Sequence, residues 1–132
     1  MDKQVLEASG APAALGAYSQ GIAANGFVFT AGQLGLNPTT NTMISDDVGD
    51  QARQALDNLE AILAAADSSF GDAVQTTIFL VDLNDFAVVN QIYAERIGAA
   101  PPARTTIQVA ALPLGARVEI AMIALSGGKE HV

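Results

Sequence analysis

Arg104 and Glu119 are the residues of this chain best suited to chemistry, and both fall in the stretch P-P-A-R-T-T-I-Q-V-A-A-L-P-L-G-A-R-V-E-I-A-M-I-A, Pro101 to Ala124. Arg104 follows two prolines that cannot donate backbone hydrogen bonds. A guanidinium on so stiff a lead-in suits a bidentate grip on a carboxylate. Glu119 interrupts a run that is otherwise apolar, Val118, Ile120, Ala121, Met122 and Ile123. A lone carboxylate there is costly to bury, so something should hold it in place. A carboxylate clamp and an isolated acid/base together outline a small-molecule site. Two plainer roles stand beside this one. Arg104 could pair with a surface carboxylate, which contributes little, and Glu119 could be an ion-pair partner of Arg117, Arg96 or Arg104. The residues alone leave open whether the two side chains share a face, because strand register decides it.

Other chemistries are excluded by what the chain lacks. It has no cysteine, so disulfides, thiolate catalysis and cysteine-ligated metals are ruled out. Its one histidine, His131, sits in the G-G-K-E-H-V tail, expected to be frayed, so no internal Ser–His pair and no His-ligated metal site is expected. No metal and no organic cofactor is implied. Acidic residues outnumber basic ones 14 to 6, for a formal net charge of −8. That field repels phosphate backbones and anionic membranes, and no cluster of Lys or Arg marks a nucleic-acid footprint. The start, M-D-K-Q-V-L-E, has no signal-peptide run and no stretch reaches membrane-spanning length. A soluble, cytoplasmic protein without nucleic-acid or membrane partners is expected.

The elements that must position these residues are legible from pattern. The 132 residues make one domain, 1–132, with a tail from about 127 to 132 expected to be flexible. Lys3–Ala8 suits a short strand, and 21–24 and 27–31 flank Asn25-Gly26, a hairpin-turn signal. Asp46 and Asp47 can cap a helix from Val48 to Ala66, whose apolar positions recur with helical spacing. Val74–Val81 is rich in branched and aromatic residues and reads as a strand. Asn84 or Asp85 can cap a second helix through Ile97, with Phe86 and Tyr93 on its apolar face. Two strands follow, Arg104–Ala110 and Arg117–Ser126. In the first, Arg104, Thr106 and Gln108 alternate with Thr105, Ile107 and Val109, which predicts one polar face. The result is an α+β domain, a mixed sheet with two helices on one face. The last strand is apolar on both sides, and only 15% of all residues are charged. The uncovered face is therefore expected to pack on other copies of the chain.

Five separated segments carry a family resemblance: A-P-A-A-L-G-A-Y-S-Q-G (11–21), F-T-A-G-Q (29–33), Q-A-R-Q-A-L-D-N-L (51–59), D-L-N-D-F-A-V-V-N-Q-I-Y (82–93) and the Pro101–Ala124 stretch. Together they resemble the reactive intermediate deaminases, the Rid or YjgF-type family, also called L-PSP endoribonucleases. The resemblance implies a bacillary chorismate mutase-like fold assembled as a homotrimer with sites between subunits. It implies that Arg104 binds the substrate carboxylate and that Glu119 positions a water and moves protons. Tyr18 would lie over the substrate, and Asn90 would line the inter-subunit cleft. Thr106, where many members have cysteine, would help hold the attacking water through its backbone carbonyl. Ala31 and Gly32 complete the implied binding set, with Ala31 lacking a hydroxyl that many members carry. The implied reaction is hydrolysis of 2-imino acids, such as the one derived from 2-aminoacrylate, to 2-keto acids and ammonia. Two alternatives accompany it: a non-catalytic, chaperone-like binder of small keto or imino acids, and an endoribonuclease or translation inhibitor, against which the acidic balance argues.

Overall fold

A computed structural model describes residues 2–127. Six strands form one sheet: β1 (Gln4–Leu6), β2 (Gly21–Ala24), β3 (Phe27–Thr30), β4 (Ala73–Leu80), β5 (Ala103–Gln108) and β6 (Val118–Leu125). Two helices accompany them, α1 (Val48–Ala64) and α2 (Phe86–Ile97). The strand order is β1-β2-β3-β6-β4-β5. Only β4 and β5 run parallel, joined by the crossover through α2; the other pairs are antiparallel. The expected α+β architecture with two helices on one face is present.

Both helices lie on one side because each has one apolar stripe and the sheet offers a matching row. Leu56, Leu59 and Leu63 of α1 and Val89, Ile92 and Tyr93 of α2 are buried against Val28, Ile78, Leu80, Val118, Ile120 and Met122. Asp47 caps α1, its side chain accepting from the Asp50 N–H at 2.9 Å, as the sequence suggests. The helix ends two residues earlier than its periodicity predicts, in a turn where Asp67 takes a φ of 56°. The capping of α2 also differs. Asp85 occupies the cap position without a side-chain bond, while Asp82 caps a preceding single turn by accepting from Asn84 N–H at 2.9 Å. Gly127, placed in the expected flexible tail, is buried, and its N–H donates to Ala66 O at 2.9 Å. The rest of that tail lies outside the described residues.

Alternation along β6 sends Val118, Ile120, Met122 and Ala124 under the helices and Glu119, Ala121, Ile123 and Leu125 to the opposite face. Register places Phe29 beside Ile123, Phe27 beside Leu125, and Phe79 between Glu119 and Ile107. No helix among the described residues lies over that face. Phe29, Ile107 and Leu125 keep 43%, 42% and 44% of their surface exposed, a broad apolar sheet face of the kind that marks an interface.

Candidate active site

Glu119 stands on the open face at the upper end of β6, beside the segment that leaves β3. That segment is locked to β6 by paired bonds: Gln33 N–H donates to Ile120 O at 2.8 Å, and Ile120 N–H to Gln33 O at 3.0 Å. Gly32 therefore passes directly beside the Glu119 side chain. A Cβ at Gly32 would run into Glu119 Oε2 and sit 2.7 Å from its Cδ. The glycine exists here because the carboxylate occupies the space of a side chain. A cavity of about 590 Å³ opens in front of them, lined by Tyr18, Ala31, Gly32, Leu15, Leu114 and Glu119 among others. Tyr18, Ala31, Gly32 and Glu119 thus line one cavity.

One wall of the cavity is a loop, and buried amides of α1 hold it. Asn58 is fully buried and donates to Leu34 O and Leu36 O at 3.2 and 3.0 Å. Gln51 donates to Ser45 O at 2.9 Å and accepts from Arg117 N–H at 2.9 Å. Both satisfy backbone groups that would otherwise be orphaned beneath the loop. Leu15 and Leu114 were not singled out by sequence, since an isolated leucine in a loop carries no pattern. Leu114 has a φ of 60° and is 71% exposed, an uncommon backbone region for leucine.

The ion-pair alternatives for Glu119 do not occur. Arg117 is taken by Asp46, with Nε donating to Asp46 O at 2.7 Å and Nη2 3.2 Å from Oδ2. Arg96 reaches Asp57 at 2.9 Å and Glu60 at 3.4 Å. Among the described residues no cation lies within ion-pair distance of Glu119. Burial without a partner pushes its carboxyl above the usual carboxylate range. The sign of the linkage follows. A raised folded-state pKa means that ionised Glu119 costs stability at neutral pH, and that cost disappears as pH falls below the ordinary carboxylate value. Glu119→Gln is therefore expected to be more stable than the parent at neutral pH, with the advantage fading in acid. Urea unfolding at both pH values checks this, and equal stability at neutral pH would show that the carboxylate is not desolvated.

Arg104 belongs to a different surface. Register pairs it with Thr76, and Thr106 with Ile78, whose side chains face the helices. Arg104, Thr106 and Gln108 therefore share the helix side, the single polar face predicted for this strand. The Arg104 guanidinium carbon lies 5.3 Å from the Phe86 ring centroid and 5.2 Å from that of Tyr93. Its Nη1 donates to Asn90 Oδ1 at 2.7 Å. Arg53, Arg96 and Arg117 each face a carboxylate; Arg104 has none within ion-pair distance among the described residues. The surface-ion-pair reading of Arg104 thus fails, and its charge is not cancelled by a neighbouring carboxylate. Phe86, read from sequence as core, and Tyr93 both touch the Arg104 guanidinium. The signal was available in their spacing: 86, 90 and 93 fall on one helix face.

Thr106 shows two features. Its Oγ1 is buried with no hydrogen-bond partner among the described residues. Its peptide groups turn outward: Val109 N–H donates to Leu80 O at 2.8 Å, so in a parallel ladder residues 105, 107 and 109 bond to β4 while 104, 106 and 108 point away from it. Because β5 is the sheet edge, the Thr106 carbonyl is directed to the open edge.

Comparison with known proteins accords with this geometry. The family described as Endoribonuclease L-PSP matches residues 8–126. The chain belongs to this family, the Rid or YjgF proteins. It is 52% identical over 122 residues to Reactive Intermediate Deaminase A, chloroplastic, of Arabidopsis thaliana, covering 92% of this chain and 65% of that protein. The chain thus spans slightly under two thirds of that relative's length. It is 44% identical over 125 residues to the 2-iminobutanoate/2-iminopropanoate deaminase of Rattus norvegicus, covering 95% and 91%. The crystal structure of the E. coli YjgF gene product superposes with a TM-score of 0.86 at 43% identity, covering 92% of this chain and 98% of that one. The fold is therefore that of the YjgF proteins.

In this Rid-family chain the expected site residues form two groups. Glu119, Tyr18, Ala31 and Gly32 meet on the open face, while Arg104, Asn90 and Thr106 gather at the edge strand on the helix side. Within one chain Arg104 and Glu119 lie on opposite sides of the sheet.

Proposed function

We propose that this protein hydrolyses reactive 2-imino acids to 2-keto acids and ammonia, acting in the cytoplasm as a homotrimer whose sites lie between subunits. The observation that carries the reading is the division of the site. An uncancelled guanidinium and an unpaired, desolvated carboxylate are the two poles needed to hold and hydrolyse a small imino acid, and they face opposite ways. Two copies placed so that the edge strand of one meets the open face of its neighbour supply both poles to one cleft. The apolar open face gives such packing its driving force.

In that cleft Arg104 takes the substrate carboxylate and fixes the imine carbon in place. Glu119 removes a proton from water as the water oxygen bonds to that carbon. It passes that proton to the imine nitrogen, giving a carbinolamine; it then moves the hydroxyl proton to the amine nitrogen, the carbon–nitrogen bond breaks as the carbonyl forms, and ammonia leaves. The outward carbonyl of Thr106 is suited to orient the water, and Tyr18 to cover the cavity. An imine carbon is already electrophilic, so the step needs no metal or organic cofactor. Support comes from the relatives named as deaminases of 2-iminobutanoate and 2-iminopropanoate and from the absence of basic clustering in the sequence, which disfavours RNA.

The test uses a pyridoxal-phosphate-dependent serine or threonine dehydratase to release the imine, with semicarbazide as a trap. Adding the protein is expected to lower the trapped fraction and to speed keto-acid release. An unchanged trapped fraction with both imines overturns the deaminase reading; binding of a keto acid without turnover would leave a ligand-binding protein. Light scattering is expected to give a native mass three times the 13.5 kDa chain, and a stable monomer would remove the inter-subunit site.

A further inference from the structure

We infer that Phe86, Asn90 and Tyr93 form a fixed seat for the Arg104 guanidinium, and that this seat sets the protein's affinity for carboxylate ligands. The inference rests on the proposed role of Arg104 as carboxylate clamp. Three observations support it. The two aromatic rings lie at nearly equal distances, 5.3 and 5.2 Å, from the guanidinium carbon. Asn90 Oδ1 accepts from Nη1 at 2.7 Å, which fixes rotation about the guanidinium axis while leaving the remaining donors free. All these partners are neutral. A carboxylate in the place of Asn90 would hold the arginine equally well but would cancel the charge the ligand must find.

The seat is itself anchored. Tyr93 is 3% exposed and its hydroxyl is 2.8 Å from Oγ1 of Thr76, a residue with no exposed surface. Thr76 is the register partner of Arg104 across β4 and β5. The same strand pairing therefore places the arginine and, through the Tyr93 hydroxyl, one of its supports. A flexible arginine loses rotamer freedom on binding; one already held loses little. Asn90, which the family resemblance makes a cleft-lining residue, is on this reading a positioning residue that acts through Arg104.

The test compares KM and kcat for imine hydrolysis in four variants. Asn90→Ala and Phe86→Leu are expected to raise KM roughly 3- to 30-fold, the scale of one cation–π or charge-assisted contact, with kcat within about twofold. Phe86→Tyr, which keeps the ring, should restore KM to near the parent value. Asn90→Asp should raise KM further than Asn90→Ala, by pairing with Arg104. The deciding readout is a double-variant comparison in Arg104→Lys protein, where the fork is already gone. There Asn90→Ala should change KM less than about twofold, since its effect is transmitted through the arginine. Equal effects of Asn90→Ala in both backgrounds, or a fall in kcat at constant KM, would overturn the inference. If the parent protein turns over no imine, the deaminase reading fails separately. The same variants are then scored on Kd for 2-oxobutanoate, where unchanged values, or no binding by the parent, overturn the seat as well.

Discussion

Equal mixing of Arg104→Ala and Glu119→Gln protomers is expected to recover activity that neither variant has alone. Each variant by itself should be severely impaired. Arg104→Ala loses a charge-assisted bidentate contact of roughly 1.5–3 kcal/mol, more when shielded from water. Glu119→Gln loses an acid/base worth about 100-fold or more in turnover. In the proposed cyclic trimer each site would take Arg104 from one protomer and Glu119 from the next. Random mixing of equal amounts then gives an intact pair at about one quarter of the sites, because each of the two contributing protomers is the right one half the time. Trimers purified through a different tag on each variant all hold both protomer types, so one intact pair in three sites, and recovery to about one third of parent activity, is the predicted outcome. Confirmed mixed oligomers with no recovery would show that the opposed faces described above do not cooperate across a subunit boundary.

The second large effect is expected from a single added methyl group. Gly32→Ala places a Cβ in the position held by the Glu119 carboxylate, with further contacts at 2.7 Å to Cδ and 3.0 Å to Cγ. What it strikes is the end of a flexible side chain, not backbone, so the carboxylate can swing aside. The fold should survive with a small change in Tm. Turnover should nevertheless fall roughly 100-fold, because displacing a catalytic group by about 1 Å can cost that much. The measurement is kcat beside a thermal melt. A variant that stays fully active would mean that Glu119 works from a different rotamer, and one that unfolds would mean that the Ala31–Gln33 segment cannot yield at all.

Sequence patterning reached the architecture because the periodicities were strong. The α1 stripe from Val48 onward, the Asn25-Gly26 turn and the alternation in β6 each had one reading. Candidate site residues stood out where a residue type clashed with its surroundings: Glu119 in an apolar strand, Arg104 after two prolines. What sequence could not supply was relative facing. Arg104 and Glu119 are side by side in the chain's last two strands, yet β4 lies between β5 and β6 in the sheet, and pairing across β4 decides that one points toward the helices and the other away. Register is a property of long-range pairing and leaves no local trace. Gln51 and Asn58 were hidden for a related reason. A glutamine and an asparagine on an amphipathic helix pattern as solvent-facing, and only the distant loop carbonyls they serve show why they are buried.

Phe86 and Tyr93 illustrate a different obstacle. Both are partly or wholly within the core, and as apolar positions of α2 they have a sufficient explanation without any ligand. Their ring faces serve the core on one side and the arginine on the other. A residue with two roles is read from sequence as having the commoner one.

If the proposed site is right, a single chain, with Arg104 on one face of its sheet and Glu119 on the other, would be chemically silent by itself. On the proposed reading, the nascent chain leaving the ribosome would hold two half-sites that cannot meet, and encounter with sister chains would start the chemistry. Synthesis rate and local chain concentration, more than folding, would set when the first imine is cleared.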